Sequence, residues 1–88
     1  MKEKKIALIT GASSGIGWST ALALAEKGYD LILCGRRSER LQQLADIVKV
    51  ETRQLIFDVR DKRAVLEAIE GLPKQWKAIN VLVNNAGN

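Results

Sequence analysis

The stretch ALITGASSGIGW, Ala7 to Trp18, places glycines at 11, 15 and 17 directly after an apolar run. The run Lys5 to Thr10 reads as a strand buried on both faces, because aliphatic and β-branched residues fill its positions without polar alternation. Ser14 to Lys27 reads as a helix, with Ile16, Ala21, Leu24 and Ala25 near helical spacing and Gly28 as its C-terminal stop. A glycine-rich turn between strand and helix has a mechanical use. Glycine permits a tight turn and lets main-chain N–H groups approach a ligand. The following helix offers unpaired N–H groups and about half a positive charge to whatever lies in front of it. A pyrophosphate suits both. Gly17 is also expected to let the helix pack close on the sheet. The alternative is a purely structural turn with Ser13 or Ser14 as N-cap; the strand before and the helix after favour phosphate.

The same alternation continues along the chain. Tyr29 to Cys34 reads as a second buried strand closed by Gly35. Ser38 is placed to cap a second helix with Leu41, Leu44, Ala45 and Val48 on one stripe. Gln54 to Val59 reads as a third strand. Asp61 is placed to cap a third helix with a Val65, Leu66 and Ile69 stripe, ended by Gly71 and Pro73. Ile79 to Asn84 reads as a fourth strand. Strands separated by helices imply a parallel sheet with right-handed crossovers. The fold class is therefore α/β, Rossmann-like, the first half of a doubly wound three-layer fold with strand order 3-2-1-4. Chain direction across the sheet reverses between strands 1 and 4, and ligands bind in the crevice at their carboxyl ends.

Eighty-eight residues suffice for one domain, and residues 1–88 are read as a single dinucleotide-binding half-domain. The composition, 47% hydrophobic and 27% charged, is that of a globular protein. Apolar runs reach only about four residues, so no membrane span is expected, and the N-terminus lacks the apolar segment of a signal peptide. Cys34 is the single cysteine, which rules out an internal disulfide and points to a reducing cytoplasm. It reads as a buried strand residue. The net charge of +4 is mild and alternates with acidic residues along helical faces, without the basic stripe of a nucleic-acid binder. No metal-ligand cluster is expected. Trp18 and Trp76 read as packing residues.

The end of strand 2 decides the cofactor. A carboxylate there usually grips the ribose hydroxyls of NAD. This chain has Cys34-Gly35-Arg36-Arg37 instead. Guanidiniums suit the 2′-phosphate of NADP, each charge-assisted contact being worth roughly 1.5–3 kcal/mol, or about 10–100-fold in preference. For Arg36 that role is preferred; for Arg37 it competes evenly with a solvated start to helix 2.

Three motifs resemble one family. Thr10-Gly11-Ala12-Ser13-Ser14-Gly15-Ile16-Gly17 is similar to the T-G-x-x-x-G-x-G signature of the short-chain dehydrogenase/reductases. Asp58-Val59 resembles that family's adenine-binding pair, and Asn84-Asn85-Ala86-Gly87 its N-N-A-G motif. The resemblance implies that Gly11, Ser13, Gly15, Ile16 and Gly17 line the phosphates and adenosine ribose, with Ser14 and Arg36 near the 2′-phosphate. It implies that the Asp58 carboxylate accepts from the adenine amino group and that the Val59 backbone meets a ring nitrogen. Asn84 would hold strands together, while Asn85, Ala86 and Gly87 pass beside the ribose; a simple polar turn is the other reading of that run.

In the family, hydride passes between nicotinamide C4 and a carbonyl or alcohol carbon, which for this chain implies NADP(H) as the partner of the substrate. A tyrosine of a Y-x-x-x-K motif acts as general acid/base, with a serine and an asparagine assisting. The single tyrosine here, Tyr29, has Leu33 rather than lysine four residues on. No catalytic residue is therefore assigned, and the chain is expected to be the cofactor-binding part of an oxidoreductase, inactive alone. The alternatives are a stand-alone nucleotide-binding module or an engineered structural fragment. Val81-Leu82-Val83 is expected to form an unpaired apolar edge, favouring self-association.

Overall fold

The computed structural model describes residues 4–85. Four strands, β1 (Ile6–Ile9), β2 (Asp30–Gly35), β3 (Thr52–Ile56) and β4 (Val81–Val83), form one parallel sheet in the order β3-β2-β1-β4. Three helices, α1 (Gly15–Glu26), α2 (Ser38–Ile47) and α3 (Lys62–Glu70), connect them, with a short 3₁₀ turn, Lys74–Trp76, before β4. The fold class and strand order are those expected from the alternating pattern.

The sheet divides its side chains between two cores, because successive strand residues point to opposite faces. Ala7, Ile9, Leu31 and Leu33 pack with Ala21, Leu41 and Leu44 of α1 and α2. Ile6, Leu8, Ile32 and Cys34 face the other way, onto Phe57, Leu72 and Trp76, with Ala64, Val65, Ala68 and Ile69 of α3 against them. Full burial of each large aliphatic side chain is worth about 1.5–3 kcal/mol, so β1 and β2, covered on both sides, are the stabilising centre.

Several boundaries differ from expectation. β3 runs from Thr52 to Ile56 rather than from Gln54 to Val59. Among the described residues its partner is β2, whose last paired residue, Gly35, stands opposite Ile56 and accepts from the Phe57 N–H at 3.0 Å; past that bond the two segments no longer pair. β3 is also half-exposed, not buried, since it lies at the sheet edge. β4 spans only Val81–Val83. Ser38 is the first residue of α2, not its cap. The cap position is Arg37, whose side chain has no acceptor and makes no capping bond. In α3, Leu66 is 61% exposed rather than part of the buried stripe, and Ala64 and Ala68 complete the packed face instead. Asp61 does cap α3, its carboxylate accepting from the Ala64 N–H at 3.1 Å.

Candidate functional site

A cavity of about 430 Å³ opens at the carboxyl ends of the strands. Its walls come from three connections. The turn after β1 contributes Gly11, Ser13 and Ser14, the end of β2 contributes Arg36 and Arg37, and the turn after β3 contributes Asp58 and Val59. Asn85, following β4, closes the fourth side. The parallel topology explains this convergence, because every strand delivers its following turn to the same end of the sheet.

The glycine turn is held by its own backbone. Gly11 has φ of 63°, a left-handed conformation that a side chain resists. Ala12 N–H donates to the Cys34 carbonyl at 3.0 Å, which ties the turn to β2. Ser14 takes the N-cap position of α1, but its hydroxyl donates back to the Gly11 carbonyl at 2.9 Å instead of accepting from the helix. The first-turn N–H groups of α1 therefore keep their hydrogen-bonding capacity for another acceptor.

Gly17 is constrained by contact rather than by dihedral angle. A Cβ there would meet the Gly11 carbonyl oxygen at 2.2 Å and the Asn85 amide at 2.9 Å. The close approach expected between helix and sheet is in fact between α1 and the glycine turn itself, with Asn85 behind it. Gly15, Ile16 and Gly17 do not line the cavity. Gly15 has open space beside it and Ile16 is 69% exposed, while Gly17 is buried beneath the turn. Ala86 and Gly87 lie outside the described residues.

Five lining residues were not among those expected at the site: Gly35, which ends β2, and four others. Thr10 sits at the end of β1, where its hydroxyl accepts the Asn85 N–H at 2.9 Å and lies 3.3 Å from Asn84 Oδ1. It thereby joins the ends of β1 and β4 beneath the cavity, and its place beside Gly11 was the available signal. Cys34 and Phe57 contribute from beneath, as strand-end residues of the apolar core. Burial pushes the Cys34 thiol up to about 12, so it stays neutral. Arg60 is the last of them; a basic residue two positions after Asp58 was the only hint.

Charge around the cavity is arranged about Asp58. Arg60 donates to both carboxylate oxygens, from Nη2 to Oδ2 at 2.8 Å and from Nε to Oδ1 at 3.1 Å. Arg36 Nη1 stands 3.9 Å from Oδ2. The Arg60 side-chain hydrogen bonds, followed by its backbone N–H, hold the Asp58 carboxyl well below the usual carboxylate range. Asp58 thus stays ionised, yet it is outnumbered by Arg36, Arg37 and Arg60, and the cavity as a whole suits an anion. Deeper along α2, Arg40 lies over the Trp18 ring at 4.3 Å and reaches the Ser13 carbonyl at 3.5 Å, bracing the turn from α2.

Residues 5–88 match the short chain dehydrogenase family. A probable NADP-dependent dehydrogenase of Dichelobacter nodosus is 51% identical over 82 residues, covering 93% of this chain and 77% of that relative. The chain spans about a third of the length of other curated relatives that it matches. Among solved structures, serine dehydrogenase from Escherichia coli superposes with a TM-score of 0.89 at 40% identity, covering 94% of this chain and 38% of that one. A closed form of serine dehydrogenase complexed with NADP+ gives a TM-score of 0.85 at 39% identity over 91% of this chain and 32% of that one. Among the described residues, no helix is long and apolar enough to cross a membrane.

Proposed function

Since the chain belongs to the short-chain dehydrogenase family, we propose that residues 1–88 are the NADP(H)-binding portion of an oxidoreductase that transfers hydride between NADP(H) and a carbonyl or alcohol substrate. The observation that carries this reading is the meeting of the glycine turn with Arg36 at one cavity that has no carboxylate at the end of β2. The N–H groups of the glycine turn and the α1 N-terminus take the pyrophosphate. Ser14 and Arg36 take the 2′-phosphate, with Arg37 beside them. Asp58 accepts from the adenine amino group, and the Val59 backbone meets a ring nitrogen. Asn85, Ala86 and Gly87 run along the ribose, and Gly15, Ile16 and Gly17 act by shaping the turn.

NADP, when bound, supplies the hydride chemistry; these residues bind and orient its adenosine half. No residue of this chain is assigned to the proton transfer, so the 88 residues alone are proposed to turn over no substrate. The buried thiol and the absence of a possible internal disulfide fit a cytoplasmic home.

Calorimetric titration with 2′,5′-ADP against 5′-AMP tests the reading, because both ligands need only the adenosine half of the site. A preference for 2′,5′-ADP of about tenfold or more, lost in Arg36→Ala, is the expected result for one charge-assisted contact. Equal affinity for the two ligands would remove the basis for NADP over NAD.

A further inference from the structure

Asp58 lies between two guanidiniums delivered by different strands. From the turn after β3, Arg60 engages it with Nη2 on Oδ2 at 2.8 Å, Nε on Oδ1 at 3.1 Å and its own N–H on Oδ1 at 2.9 Å. From the end of β2, Arg36 comes no nearer than 3.9 Å to Oδ2, which is too long for a hydrogen bond and still within Coulombic reach. A carboxylate has about four acceptor sites. Arg60 makes two contacts to each oxygen, its Nε being shared between Oδ1 at 3.1 Å and Oδ2 at 3.3 Å, and Arg36 is left beside Oδ2 as a neighbouring cation without a hydrogen bond. The Arg36 side chain is left 69% exposed at the cavity, with its charge uncommitted to a hydrogen bond.

We propose that Arg60 is a specificity-determining positioning residue: by occupying Asp58 it keeps Arg36 free for the 2′-phosphate of the cofactor. The proposal rests on the NADP site described above and adds a residue that does not touch the phosphate. Loss of Arg60 acts twice, and both effects have the same sign. The vacated carboxylate draws Arg36 across a gap that is already only 3.9 Å, converting a free guanidinium into a partner of Asp58. The unmasked negative charge then opposes a phosphate bound by Arg36. Because the Arg60 side chain is 80% exposed, solvent screens part of both effects and removing it leaves the core untouched.

The test compares the affinity ratio of 2′,5′-ADP to 5′-AMP in wild type, Arg60→Ala, and the double variant Arg60→Ala with Asp58→Asn. The ratio in Arg60→Ala is expected to fall by about three- to tenfold, within the worth of one exposed charge contact. Asp58→Asn on that background is expected to restore it, since an amide neither captures Arg36 nor repels phosphate, although both ligands weaken together through the adenine contact. A ratio unchanged in Arg60→Ala overturns the proposal. A fall that Asp58→Asn does not rescue also overturns it and makes Arg60 a direct phosphate ligand. A wild-type chain that binds both ligands equally removes the NADP site itself, a failure distinguishable from the other two.

Discussion

Gly17 shows how strictly one residue can be specified at this site. A methyl group there would stand 2.2 Å from a backbone oxygen, and neither α1 nor the Gly11 turn can move without losing the bonds that hold them. Gly17→Ala is expected to lower stability by about 1–3 kcal/mol, as overpacking does, and to shift the turn away from its ligand-binding shape. A denaturant midpoint at or above the wild-type value would contradict this. Cys34 gives a second residue-scale outcome. Its thiol stays protonated in the fold up to about 12, whereas an unfolded cysteine ionises near ~8.5. Between those values the unfolded state binds fewer protons, so stability falls as pH rises, by about 1.4 kcal/mol per unit at most. Cys34→Ala should flatten that decline relative to wild type in urea melts between pH 8 and 11, whatever its cost at neutral pH.

Among the three helices, α3 is the least buried, with no residue fully enclosed. Its start depends on the Asp61 carboxylate accepting from Ala64 N–H at 3.1 Å. Asp61→Ala is expected to cost about 1 kcal/mol. Hydrogen exchange should show α3 opening faster while β1 and β2 keep their protection. The existence and order of the four strands and three helices were legible in the sequence, because apolar runs, helical stripes and glycine stops agree with one another, whereas the 3₁₀ turn Lys74–Trp76 was not. Their ends were less so. The length of β3 depends on where β2 stops offering partners, and no local pattern in Gln54 to Val59 reveals that. The stripe of α3 was misjudged at Leu66 for a related reason: helical spacing says which residues share a face, not how wide a face the sheet covers.

At the scale of the molecule, the sheet is asymmetric. Leu82 pairs in register with buried Leu8 and so lies on the α3 side of the sheet, yet it is 67% exposed. Leu66 is exposed as well, and among the described residues no strand pairs with the outer side of β4. An apolar edge with open hydrogen-bonding groups favours pairing with another strand. Sedimentation velocity is expected to show concentration-dependent association of the 88-residue chain. Leu82→Lys should reduce it, since a charged side chain on an edge discourages pairing. A single monomeric species at tens of micromolar in the wild type would count against this edge as an association surface.

The amino-acid order alone determined the α/β class, the 3-2-1-4 sheet and the end of the sheet at which a ligand would bind. Those follow from periodicity and connection rules that act over ten or twenty residues. It also identified most of the cavity wall, because Gly11, Arg36 and Asp58 each follow a recognisable strand. What only the tertiary structure decided is how those residues act on one another. Gly17 lies beneath Gly11 and Asn85, Thr10 bridges to Asn84 and Asn85, and Asp58 is claimed by Arg60 with Arg36 held off at 3.9 Å. Such relations join residues up to 75 positions apart. They depend on distances of a few tenths of an ångström, set by how the strands pair and the helices pack rather than by any residue's neighbours in the chain.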